Sequence, residues 1–232
     1  MNQKNIFGEG LFFKITNLIY ALLMTNFYFV LTNIIGLFFF LTLEPTFSNV
    51  TIYFLALIPT GPAISALIYS IGKLIREKEL SPSKDYFHGY KINFKDTMKF
   101  WLPLLLVVYI LIVDLQYFNT NPSTITSILS VVFVIGILLI IVIAMNGFLI
   151  IAGYKFRFKD IWKLAVFYSF TKVKITFGNI SIVIITLFLL SVTSHFLLLF
   201  IGSLICYLFL LNSKGLFEDI QLNFCEPKKN LS

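Results

Sequence analysis

Few side chains in this sequence could do chemistry. It has 232 residues, with two histidines, two cysteines and 11 acidic residues. His88 and His195 have no nucleophile or metal ligand at useful spacing, and neither has Cys206 or Cys225. No metal, other cofactor or disulfide is therefore expected. No His-Glu-x-x-His pair, phosphate-binding glycine loop, nucleophile elbow or intramembrane aspartate pair occurs, so an enzyme is not expected. Asp114 is the only acidic residue well inside an apolar run. A proton-coupling carboxylate would sit deeper beside a basic partner, so Asp114 is read as reaching the outer interface.

The stretch that stands out is Leu57-Ile58-Pro59-Thr60-Gly61-Pro62-Ala63, in the middle of an apolar run. Pro62 has no N–H, and its ring crowds the carbonyl four residues back. In lipid, such a break persists only where protein or water satisfies the freed groups. Two readings stay open. Pro59, Thr60, Gly61 and Pro62 are either a broken helix lining a site or a kink whose small residues let a neighbouring helix approach. Asn26, Asn33, Ser65 and Asn146 are further polar residues inside apolar runs, and they should face other helices, since lipid offers them no partner.

The elements that hold these residues follow from composition. Hydrophobic residues make up 58% of the chain and charged residues 12%, with mean hydropathy +0.90. Several apolar runs reach the roughly 20 residues a spanning helix needs. They are continuous, which excludes a barrel. The expected fold is all-α: one integral membrane domain over 1–232, with six transmembrane helices in three hairpins. The spans are read at 17–43, 51–75, 100–118, 124–153, 177–192 and 195–212. Pro103 is tolerated in the first turn of the third. The first span is too long for a cleaved signal and is read as retained.

Charge placement tests this division. Under it all 18 lysines and arginines fall on one side, and the three opposite turns hold none. The positive-inside rule then places both termini and both long loops in the cytoplasm, with the chain in a bacterial cytoplasmic membrane. The net charge of +7 is read as contact with anionic lipid headgroups. No basic tail or motif suggests nucleic acid.

The two long basic segments are not plain loops. Aromatic residues alternate with lysines over Ser83–Trp101 and Lys159–Lys174. That is the composition of two interfacial helices on the cytoplasmic side, with Trp101 and Trp162 at headgroup depth and Lys95 and Lys163 reaching water. Phe167 and Phe170 fall on the lysine side, which leaves one face to pack on protein. Phe12-Phe13-Lys14-Ile15-Thr16-Asn17, Asn93-Phe94-Lys95-Asp96-Thr97-Met98 and Lys172-Val173-Lys174-Ile175-Thr176-Phe177 are similar lead-ins. They recur about every 80 residues, a scale compatible with structural repeats.

Pro59-Thr60-Gly61-Pro62-Ala63, then Ala66, Tyr69 and Lys73-Leu74, then Tyr86-Phe87 and Tyr90-Lys91-Ile92-Asn93-Phe94-Lys95, resemble the YesL family of bacterial integral membrane proteins. That family has no assigned function. Its members tend to be encoded beside carbohydrate ABC transporters and glycan-degrading enzymes in Gram-positive bacteria. The resemblance implies a non-catalytic accessory or regulator of carbohydrate transport, with transporter components as partners. It supplies no catalytic residues. No Glu-Ala-Ala-like coupling segment marks the chain as an ABC permease itself. The alternative is a small-solute transporter with a broken second helix, and a homo-oligomer stays open.

Single cysteines at Asn49, Asn121 and Ser194 should react with an impermeant thiol reagent outside intact cells, and cysteines at Ser83 and Lys159 should not. Outside labelling at Lys159 would contradict the six-span map.

Overall fold

In a computed structural model the chain is helical throughout its described residues, 10–192 and 198–224, which contain no strand. The elements are α1 (Leu11–Thr32), α2 (Ile34–Thr42), a short 3-10 turn (Phe47–Asn49), α3 (Val50–Ala56) and α4 (Thr60–Glu77). They continue with α5 (Pro82–Thr120), α6 (Thr124–Gly153), α7 (Phe158–Thr171), α8 (Val173–Val192), α9 (Leu198–Asn212) and α10 (Lys214–Asn223). Among the described residues three helices are long and apolar enough to cross a membrane: α1, α5 and α6. Helices α3 and α4 make a fourth if their bend of 47° is taken as one broken span. The apolar segments Val173–Thr186 and Ile201–Asn212 are shorter. Ser194, His195 and Cys225 lie outside the described residues.

Both early spans are interrupted. The first divides at Asn33, whose amide turns back to donate to the Phe29 carbonyl at 2.8 Å. That competition with the backbone is what makes asparagine a poor residue mid-helix. The second divides over residues 57–59, before Thr60 opens α4. The α5–α6 turn closes as its residues suggest: Ser123 and Thr126 form a reciprocal cap at the start of α6.

The largest departure from expectation is α5. The stretch read as an interfacial helix and the third span are one continuous helix of 39 residues. At 1.5 Å per residue it is about 58 Å long, roughly twice the apolar thickness of a bilayer. Pro103 lies well inside it, rather than in a first turn. Pro82 instead occupies the first turn, where the missing N–H costs no bond. The third lead-in behaves differently, since α7 and α8 divide at Lys172.

The core gathers at the lysine-bearing ends of the helices. Helix α4 is central and touches α1, α5, α6 and α9. Helix α7 turns Ile161, Leu164, Ala165 and Tyr168 inward, the spacing of one helical face. Phe167 and Phe170, on the lysine side, are exposed, and it is the other face that packs on protein. Helix α10, at the start of what reads as a polar tail, buries Leu216 and Ile220 completely. It is fixed to α7 through Asp219, which accepts from Lys172 Nζ at 2.6 Å and Tyr168 Oη at 2.8 Å. The lysine first, and then the tyrosine, hold the Asp219 carboxyl below the usual range. At the other end the C-terminal half of α5 meets the N-terminal half of α6 through Phe118 and Phe133, with ring centroids 5.3 Å apart. Ile125, Ile128, Val131 and Ile135 of α6 are exposed there.

Candidate functional site

The break between α3 and α4 is packed and capped from α5. Pro62 cannot donate to the backbone, and the turn before it leaves carbonyls in an apolar setting. In that turn Leu57 O accepts from the Thr60 amide at 3.2 Å and takes a second bond from the Trp101 indole Nε1 at 3.0 Å. The same ring lies against Gly61, where any Cβ would overlap it. Gly61 is thus required by the close approach of a large side chain. Pro59 and Thr60 are half-buried and Gly61 and Pro62 are buried.

Below the break, α4 and α5 run antiparallel with matching rows. Gly61, Ser65, Tyr69 and Lys73 follow one another at four-residue spacing on α4, and Asp85, Gly89, Asn93, Thr97 and Trp101 do so on α5. Rows of this spacing are the ridges along which helices pack. At one end Gly61 meets Trp101. Further down, the Tyr69 ring lies on Gly89, where a Cβ would come within 2.6 Å of it. At the far end Lys73 Nζ is 2.7 Å from Asp85 Oδ1. Asp85 is itself buried, and its second oxygen accepts from the Ser81 amide at 2.9 Å. The turn there is closed by Lys78 in the left-handed conformation, with φ 58°, as at many helix C-termini. Tyr86, fully buried, adds a cross-link: its hydroxyl is 2.7 Å from Thr32 Oγ1 of α1 and donates to Ala63 O at 3.4 Å.

The other residues singled out by sequence do not join this seam, Ser65 and Trp101 excepted. Asn26 is fully buried and its Oδ1 accepts from the Ser203 amide at 2.9 Å, tying α1 to α9. Asn146 donates to Ser169 Oγ at 3.0 Å, tying α6 to α7. Asn33 sits at the α1–α2 junction. Asp114 is half-buried near the C-terminal end of α5. Trp162 is half-buried on α7, its ring centroid 4.7 Å from that of Phe100. Lys95 and Lys163 are exposed, and so is His88, whose ring lies 5.8 Å from that of Tyr69. Among the described residues no group of three His, Cys, Asp or Glu side chains could hold a metal ion. Sequence reasoning missed Asp85, Asn93, Thr97 and Asp219 as structural partners. The four-residue spacing from Asp85 to Trp101 was the available signal for the first three.

Residues 22–115 match a family model described as "Protein of unknown function, DUF624". The matched stretch is less than half of the chain. It runs from within α1 to within α5, and so contains the break and the whole α4–α5 seam. No curated protein and no solved structure matches the chain.

The capping role of Trp101 has a direct consequence. Trp101→Phe keeps an aromatic ring on Gly61 and removes the donor to Leu57 O. Leu57 O keeps its bond from the Thr60 amide, so the loss is one hydrogen bond, a net of about 0.5–1.5 kcal/mol, and the thermal midpoint in lipid nanodiscs should fall modestly while the protein still folds. An unchanged midpoint would show that the indole adds nothing to the bond from Thr60.

Proposed function

We propose that the chain is a six-span protein of a bacterial cytoplasmic membrane, with both termini in the cytoplasm, acting as a non-catalytic accessory to a carbohydrate ABC transporter. The observation that carries the non-catalytic, non-conducting part is the closed break. Trp101 stands against Gly61 and donates to Leu57 O, where a transporter would need unwound backbone lining a cavity. The buried polar residues Asn26, Asn146 and Tyr86 likewise bond helix to helix, which is the ordinary work of polar groups inside a bundle. The link to carbohydrate transport is supported by the resemblance to the YesL family alone.

Six spans require α8 and α9 to cross as a hairpin, although their apolar segments are short. Gathering of the basic residues at one end supports the orientation. Anionic lipid is a fitting partner for that end. A shallow groove of about 560 Å³ on α5 is lined by Phe94, Met98, Leu102 and Pro103 beside Lys95 and Lys99. Such a pairing of apolar wall and ammonium groups suits an acyl chain and its phosphate.

The experiment is co-purification of the tagged full chain from native membrane. The accessory reading predicts stable recovery of ABC permease subunits. Recovery of the chain alone, together with solute uptake by vesicles containing only this protein, would replace it with the small-solute transporter.

A further inference from the structure

Between its two ends, the α4–α5 seam contains three buried polar side-chain atoms with no hydrogen-bond partner. Ser65 Oγ, Asn93 Nδ2 and Thr97 Oγ1 are each buried without a hydrogen bond. Ser65 and Thr97 are fully buried and Asn93 is 2% exposed.

These three atoms belong to one layer. Gly61 meets Trp101 and Tyr69 meets Gly89. Ser65 lies midway between positions 61 and 69, and position 95 lies midway between 89 and 101. Ser65 therefore faces the turn of α5 bounded by Asn93 and Thr97. Those two are four residues apart and share a helix face.

The behaviour of other hydroxyls in the chain sharpens the point. Thr25, Ser70, Ser169 and Thr186 each donate to the carbonyl four residues back, the usual refuge of a helical hydroxyl in apolar surroundings. Ser65 and Thr97 forgo it, and so are free to bond something between the helices. Three orphaned groups in one buried layer would be costly. A shared partner relieves all three at once.

The chemistry of the layer selects that partner. It offers two hydroxyls and an amide N–H, with no carboxylate. The nearest charges along the two rows, Lys73 and Asp85, are paired with each other. A cation would face the Asn93 N–H, and an anion would find no positive charge. A small neutral molecule that both donates and accepts fits, and buried waters typically make about three such bonds.

We propose that Ser65, Asn93 and Thr97 form an internal water site that bridges α4 to α5. Asn93 Nδ2 donates to the water oxygen. The two hydroxyls complete its shell, each as donor or acceptor.

The test uses the full chain in lipid nanodiscs, with two readouts. A structure at a resolution that shows ordered water should place one solvent peak at about 3 Å from all three atoms. Ser65→Ala, Asn93→Leu and Thr97→Val, each alone, should lower the thermal midpoint by about 2–4 °C, because each strips the water of a partner. The triple variant Ser65→Ala, Asn93→Leu, Thr97→Val should lose less than the single losses summed, since no polar group is then left behind. Absence of the peak, a cation in its place, or direct bonds among the three side chains would overturn the proposal. So would single variants that hold or raise the midpoint, as expected of a dry layer of orphaned atoms.

Discussion

The indole of Trp101 donating to the Leu57 carbonyl is the contact on which the arrangement turns. Prolines at 59 and 62 deny the backbone its ordinary donors in the middle of an apolar segment. The turn itself meets part of that loss, since the Ile58 amide donates to Leu55 O and the Thr60 amide to Leu57 O. Trp101 adds a second N–H to Leu57 O and fills the space that Gly61 leaves open. Packing and the added hydrogen bond thus come from one side chain. A kink treated in this way is a fixed feature of the bundle.

That contact also sets the register of the seam below it. With Trp101 on Gly61, the four-residue rows bring Tyr69 onto Gly89 and Lys73 onto Asp85. The ion pair closes one end and the indole the other. The long α5 carries both contacts, and this explains why it continues far beyond a bilayer's thickness. Its first half is a wall against which α4 packs, and its second half is the apolar arm that meets α6. Helices α7 and α10 complete the basic end around Tyr168, Asp219 and Lys172.

Apolar run length and turn residues made much of the architecture legible. Helix α6 follows its expected bounds, because an Asn-Pro-Ser turn precedes it and a continuous apolar run defines it. The last apolar run contains α8 and α9, and the polar interruption read at 191–195 falls mostly outside the described residues. The unity of α5 was not legible, since the change from charged to apolar at Phe100 resembles a boundary while helical periodicity continues across it. Helix α10 was hidden by its charges, although Leu216 and Ile220 stand four residues apart. Of the candidate site, Pro59 to Pro62 announced themselves. The partner of the break did not: aromatic-belt reasoning directs attention to the depth of Trp101, while its acceptor lies 44 residues away. Ser65 could be seen as polar in an apolar run, but its opposite numbers Asn93 and Thr97 look like ordinary members of a basic, aromatic segment.

The central claim is that Trp101 occupies the space Gly61 leaves at the break. A double-mutant cycle on Gly61→Ala and Trp101→Ala, read as thermal midpoints in lipid nanodiscs, addresses it most directly. Gly61→Ala alone should be strongly destabilising, because its methyl group meets the indole ring. In the Trp101→Ala background the same methyl group enters vacated space, and its penalty should largely disappear. Equal penalties in the two backgrounds would contradict the account, because the two residues would then not share that space.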